Sequence, residues 1–396
     1  MKRILFLAIL FCAFNAQGAH IVRGPYLENP TPTSMTLRWQ TDVPTVSWLE
    51  YGPAPRCNQI MTLTPAVSNH KVVLYGLVPN QDFCYHLYVE NASKNGVQEP
   101  VNGSFRTLFS PERKVVTFLA LGSTGDDALA DSSAGAVGRQ ALAGFMAKEK
   151  ADFVIHTGNI TPDGLNTQAD ESLFGPFASV LRKTPLFVAL GPQEYGAQRA
   201  QSDSKPFLYN NYTRYHDMTW SNATPKYYYF DTANARFIVL DTNIAQGAVW
   251  APDINEESAQ TKWLKTTLSS AGDKWKIVVM NAPAYSTGVN GSNLEVAAAW
   301  VKLFETYGVN LVLQGGDTNY ERTFPLRNGE THSRGVTYVT LGTAAPTPTK
   351  RVYEDAYTAR FVSARHYAVG KIVDRKLTFT VYSETGKQLD KFEMYL

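Results

Sequence analysis

The sequence predicts an all-β sandwich followed by an α/β layered domain, and three observations carry that expectation. Residues 20–107 alternate short apolar segments with turn residues. Beyond Arg113 the apolar segments become continuous runs that end in glycine or another small residue. Helical patterns alternate with those runs, which is the signature of layered strands and helices. The composition agrees: of 396 residues, 44% are hydrophobic and 12% aromatic, enough for substantial cores and unlike a disordered chain. The 28 glycines follow no fixed period and no long heptad run occurs, which excludes collagen-like and coiled-coil classes.

The first residues read as a targeting segment. Lys2 and Arg3 form a charged start, Ile4 through Phe14 is an apolar run, and Ala16-Gln17-Gly18 supplies small residues at a cleavage site. Residues 1–18 are therefore expected to be a signal peptide and the protein to be exported, periplasmic or secreted. The run is too short to span a bilayer, and no later segment resembles a transmembrane helix. Removing Lys2 and Arg3 leaves Lys+Arg equal to Asp+Glu at 35 each, a formally neutral chain. With no clustered Lys/Arg, nucleic acid is not an expected partner.

In residues 19–108 the expected strands are Ser34–Gln40, Val46–Tyr51, Lys71–Leu77, Phe83–Val89 and Gly103–Thr107. Pro30, Pro44, Pro53, Asn80 and Gly96 separate them. Trp39 is the expected core aromatic. Cys57 and Cys84, an even pair in an exported chain, suggest one disulfide, with two packed thiols as the other reading. The run from Leu77 through Tyr85 resembles a fibronectin type III strand entry, with Phe83 where a corner tyrosine is usual.

After a short linker (Phe109–Arg113), residues 113–396 carry buried-strand runs at Val115–Gly122, Phe153–Gly158, Leu186–Gly191, Ile277–Asn281 and Leu311–Gly315. Between them, Leu142, Phe145 and Met146 share one helical face, and Trp263, Leu264 and Leu268 share another. Leu294, Ala297, Trp300, Val301 and Phe304 mark a third, with Asn293 as N-cap and Gly308 as stop. In such folds ligand chemistry sits in the loops beyond the carboxyl ends of the strands.

Those loops are Gly122-Ser123-Thr124-Gly125, Gly158-Asn159-Ile160-Thr161-Pro162, Gly191-Pro192-Gln193-Glu194, Met280-Asn281-Ala282-Pro283 and Gly315-Gly316-Asp317-Thr318-Asn319-Tyr320-Glu321-Arg322. Their order and spacing resemble the calcineurin-like metallophosphoesterases, and within them the purple acid phosphatases. Val22 through Leu27, Lys262-Trp263-Leu264 and Pro283 through Gly288 match as well. The resemblance implies a fibronectin-like domain and then a four-layer α/β/β/α sandwich holding two metal ions, iron paired with zinc, manganese or iron.

At each ligand position of that family this sequence departs. Ser123 and Asn159 stand for aspartates, Pro162 for the tyrosine, Pro192 for the asparagine, and Asn281, Gly316 and Thr318 for histidines. Gln193 replaces the substrate-facing histidine, and Glu194 alone remains of its tetrad. Glycine and proline offer no donor atom, and the neutral oxygens left compensate little metal charge. Without metal, bound water keeps a pKa near its bulk value of about 15.7. The sequence therefore reads as a pseudoenzyme with no catalytic residue, metal ligand or cofactor, binding a protein, glycan or small ligand.

Other readings stay open beside it. A divergent phosphoesterase would relocate its ligands to residues such as Asp163, Glu194 and Asp317, with Asp126 and Asp127 nearby as hard-cation donors. A metal-free hydrolase would use Ser123, but the seven histidines show no paired spacing and no nucleophile elbow occurs. His156, inside a strand, reads as a packing residue. An anion held at the start of a helix over Ser132–Lys150 would be binding without turnover. A purely structural or surface-assembly component is the remaining class.

Overall fold

The computed structural model describes residues 19–91, 96–97, 99–108, 113–125, 132–162, 166–195 and 224–396. The expected signal peptide, Asp126, Asp127 and Asp163 lie outside the described residues.

The all-β region contains β1 (Ile21–Glu28), β2 (Ser34–Pro53), β3 (Gln59–Tyr75), β4 (Asp82–Asn91), β5 (Gly96–Val97) and β6 (Val101–Arg106). One expectation is corrected here: Ser34–Gln40 and Val46–Tyr51 are not separate strands but the two halves of β2. Pro44 sits in the register shift between Gln40 and Thr45 against β3, where the ladder is interrupted and its missing N–H costs nothing. The first half of β2 pairs with β1 and the second with β4, so the β2–β3 ribbon passes from one layer to the other. Between the layers Leu37, Trp39, Leu49, Leu74, Phe83 and Phe105 are buried together. Trp39 is 2% exposed and stacks on His70. Phe83 packs on Phe105 at 5.3 Å. The Cys57 and Cys84 sulfurs are bonded, with Cα atoms 5.5 Å apart.

The α/β region holds two sheets. One runs β21-β20-β19-β7-β8-β9, where β7 is Val115–Leu121, β8 Phe153–His156, β9 Leu186–Val188, β19 His366–Val373, β20 Lys376–Ser383 and β21 Gln388–Tyr395. The other runs β10-β11-β12-β13-β17-β14-β18. Its strands are β10 Tyr228–Thr232, β11 Ala235–Val239, β12 Trp275–Met280, β13 Leu311–Gln314, β14 Tyr320–Thr323, β17 Thr337–Leu341 and β18 Thr358–Val362. A small hairpin, β15 (Leu326–Arg327) with β16 (Glu330–Thr331), lies outside both.

Alternation assigns each face. On β7, Phe118 and Ala120 enter the core between the sheets, while Leu119 and Leu121 face the helix Ser132–Met146. On β12, Ile277 and Val279 point between the sheets, and Val278 and Met280 point to the helical layer with Leu264, Trp300 and Phe304. The result is the α/β/β/α order that the resemblance implied. Phe153 centres the inter-sheet core, edge-on to Phe187, Phe230 and Phe237 at 5.1–5.5 Å.

The helix caps follow the sequence, with one change of phase. Ser258 accepts from Thr261 N at the start of Ala259–Ser269, and Asn293 accepts from Val296 N. Leu294, expected on the buried face, is 76% exposed, and Val296 is buried instead. A π turn at Ala297–Val301 adds a residue to the helical repeat and shifts the face before it.

Candidate functional site

β7, β8 and β9 are parallel in one sheet, and β11, β12, β13 and β17 in the other. Their carboxyl ends meet along one edge, which brings together the five loops read from the sequence. The contact is close. Thr157 Oγ1 donates to Leu341 O at 3.0 Å, and Asn281 Nδ2 donates to Thr157 O at 2.6 Å. Gly158 has φ +95°, and a Cβ there would fall 2.6 Å from Gly191 N and 2.8 Å from Asn281 Nδ2.

Glu194 is the centre of the arrangement. It is fully buried on the 3-10 turn Pro192–Tyr195. Its Oε2 accepts from Asn159 N at 2.9 Å and Gly191 N at 2.8 Å, and its Oε1 from Ile160 N at 2.7 Å. Burial pushes this carboxyl up to about 7, against the pull of those amides. Its oxygens are thus engaged by the backbone of the loops after β8 and β9. Glu194 ties two loops together instead of facing an open cleft.

Of the seven replaced ligand positions, Ser123, Asn159, Asn281 and Thr318 direct their side-chain polar atoms to neighbouring protein groups. Ser123 is buried, its Oγ 3.5 Å from the carbonyls of Gly125 and Asn159, and among the described residues no histidine hydrogen-bonds to it. Asn159 adopts φ +61°, its Oδ1 3.5 Å from Gln193 N. Pro162 and Pro192 are half-buried and carry no donor. Asn281 is fully buried, and besides its bond to Thr157 it accepts from Gln246 Nε2 at 3.1 Å. Thr318 Oγ1 pairs with Thr349 Oγ1 at 2.8 Å. Gly316 has φ +75°, and any Cβ there would meet Pro283 Cδ at 2.6 Å and Asn281 O at 2.9 Å. The loop shape at 316 therefore excludes the side chain that a metal would require.

Asp317, a candidate relocated ligand, is 2% exposed and accepts from Ser286 Oγ at 2.8 Å, Thr318 N at 3.0 Å and Asn290 N at 3.3 Å. Burial raises its carboxyl above the usual range. Glu194 and Asp317 thus each tie their own loop to a neighbouring one. His156 does more than pack: its Nδ1 accepts from Gly158 N at 3.0 Å and its Nε2 lies 3.1 Å from Thr124 Oγ1, joining the loops after β7 and β8. Among the described residues no three His, Cys, Asp or Glu side chains gather as a metal ion requires. The donor set does not fit the pair of ions that the resemblance implies.

Sequence reasoning missed Asp241. It is fully buried and receives Tyr195 OH at 2.6 Å, Asn243 N at 2.9 Å and Asn243 Nδ2 at 2.7 Å. Burial pushes it up to about 6. Its signal was an acid directly after the apolar run Phe237–Leu240.

Residues 136–319 match the family model of the calcineurin-like phosphoesterases. An uncharacterised protein of Mycobacterium tuberculosis is 28% identical over 182 residues, 43% of this chain and 33% of that protein. Purple acid phosphatase 18 of Arabidopsis thaliana is 27% identical over 182 residues, 43% of this chain and 37% of that protein. The matches span about a third of the length of these curated relatives. Among solved structures, a purple acid phosphatase from yellow lupin seeds superposes with TM-score 0.75 at 15% identity, over 96% of this chain and 75% of that one. GAP50, described as the anchor in the inner membrane complex of Plasmodium, superposes with TM-score 0.55 at 18% identity, over 72% and 90%.

Proposed function

We propose that this chain, which carries a calcineurin-like phosphoesterase domain on the fold of a purple acid phosphatase, is an exported protein that binds a partner and does not hydrolyse phosphate esters. The observation that carries the reading is Glu194. The one residue left of the tetrad that the resemblance implies has its oxygens taken by three backbone amides, while the seven ligand positions hold neutral or donor-free residues. A dinuclear centre needs several anionic and imidazole donors converging on a few ångströms. Here Glu194, Asn281 and Asp317 pair with groups of the neighbouring loops. Gly316, with its left-handed backbone against Pro283, has no room for a ligand side chain.

The fold does not demand catalysis. GAP50, a protein of related fold, is named as an anchor, which agrees with a scaffold role. The partner would engage the altered loop face or the N-terminal β region, which we read as fibronectin-like. No helix among the described residues is long and apolar enough to cross a membrane. Assay of p-nitrophenyl phosphate with the exported protein, supplied in turn with iron, zinc and manganese, tests the reading. We expect no turnover above a protein-free control. Sustained turnover lost in Glu194→Gln or Asp317→Asn would instead establish a divergent phosphoesterase with relocated ligands.

A further inference from the structure

In the β-sandwich, β3 (Gln59–Tyr75) pairs with β2 and with no other strand among the described residues. In an antiparallel ladder alternate residues of such an edge strand turn their N–H and C=O away from the partner. The outer side of β3 therefore offers a row of backbone groups that a further extended strand can pair. Its first part is regular: from Leu63 opposite Ser47 to Gln59 opposite Tyr51 the register runs without a shift. Along that stretch Met61 and Leu63 pack against the sandwich core, while Ile60, Thr62 and Thr64 are exposed, Ile60 at 72%.

Edge strands are ordinarily blunted by charge, proline, a bulge or shortness. The other edges of this molecule follow that rule. Arg23 and Pro25 lie in β1, Arg106 in β6, Asp231 in β10, Arg360 in β18, and Asp390, Lys391 and Glu393 in β21. Strands β5 and β9 have two and three residues. The second half of β3 carries Lys71. Gln59-Ile60-Met61-Thr62-Leu63-Thr64 has no charge, no proline and no bulge.

We propose that Gln59–Thr64 pairs antiparallel with the same segment of a second copy of this chain, about a two-fold axis at Thr62, joining two β-sandwiches through one continuous sheet. Residues opposite one another in an antiparallel pair share a face, so a two-fold pairing of identical strands must place one residue opposite itself. With Thr62 in that place, Met61 of one copy lies opposite Leu63 of the other on the core side, and Ile60 opposite Thr64 on the outer side. Both are favourable cross-strand pairs, and no charge is set against a like charge. The segment complements itself but has no charged group with which to select a strand of different sequence. A formal net charge of +2 over 396 residues adds little repulsion between copies. Six residues from each copy fall short of a standard interface of about 1,600 Å², so the association is weak and concentration-dependent. The pairing uses none of the loops around Glu194 and is independent of their chemistry.

Sedimentation velocity of the whole protein over a concentration series tests this. The expected result is a monomer–dimer equilibrium. Thr62→Lys and Thr62→Glu should each weaken it about tenfold, because each sets like charges opposite one another at the two-fold. Mixing the two variants should restore the dimer, since the lysine then faces a glutamate, and Thr62→Ser should leave it in place. Circular dichroism establishes that each variant is folded. A monomer up to about 1 mM, a dimer indifferent to both charged substitutions, or a mixture no more dimeric than its components overturns the proposal.

Discussion

The space between the two sheets and the loops at their carboxyl edge are built on opposite principles. Between the sheets, Phe118, Phe153, Phe187, Phe230 and Phe237 interlock with no polar group to satisfy. At the edge, Glu194, Asn281, Thr157, His156 and Asp317 are buried polar groups, each satisfied by a neighbouring loop. The fold owes its stability mainly to the first, which holds whatever the second carries. That division is why the ligand positions can be exchanged for neutral residues while the layered architecture stays intact.

The largest expected effect comes from breaking the apolar half. Phe153→Ala should cost about 3–5 kcal/mol, because it opens a cavity among three edge-on rings. Urea denaturation should show it as a lowered midpoint at unchanged slope. A loss below about 1 kcal/mol would mean that the sheets are not held by this core.

The polar half should show itself through pH. The Glu194 carboxyl is raised by burial to about 7 from an ordinary 4.5, so the folded protein holds that proton more tightly than the unfolded chain. The stability this contributes is fully present below pH 4.5 and is lost as pH rises towards 7, about 3 kcal/mol in all. Glu194→Gln removes this segment of the curve. An unfolding free energy whose pH slope between 4.5 and 7 is the same in both proteins would contradict the assignment.

How much of this was legible in the sequence differs between the two halves for the same reason. Apolar runs such as Val115–Leu121 and Leu311–Gln314 declare themselves as strands because burial on both faces is a local property of composition. The loops were found too, since four of the five runs end in glycine and the fifth in Asn281. What could not be read was the partner of each polar group. That Glu194 reaches the amides of Asn159 and Ile160, 35 and 34 residues away, is set by sheet order and not by spacing. Asp241 was hidden likewise, as its donor Tyr195 lies 46 residues away. Pro44 misled because a bulge accepts proline as readily as a turn does, and Leu294 because one π turn rotates a helical face.

Reintroducing a ligand should cost stability without gaining function. Gly316→His forces a side chain into a left-handed backbone position against Pro283. Backbone conformation alone makes this about 1–2 kcal/mol, read as a lowered Tm, with no gain in zinc retention on dialysis. A stable variant that retains zinc would show that the loop still accommodates a metal. The smallest expected effect is none: if, as proposed, no ion is held at these loops, chelation with EDTA should leave Tm unchanged. A clear drop would reveal one.

On the proposed reading these loops, closed on one another around Glu194, do not hold the two ions that ester hydrolysis on this fold uses. Elemental analysis of the native protein, expressed with iron, zinc and manganese available, should find well under one transition-metal ion per chain; two ions per chain retained through gel filtration would mean that the loops do hold a dinuclear centre.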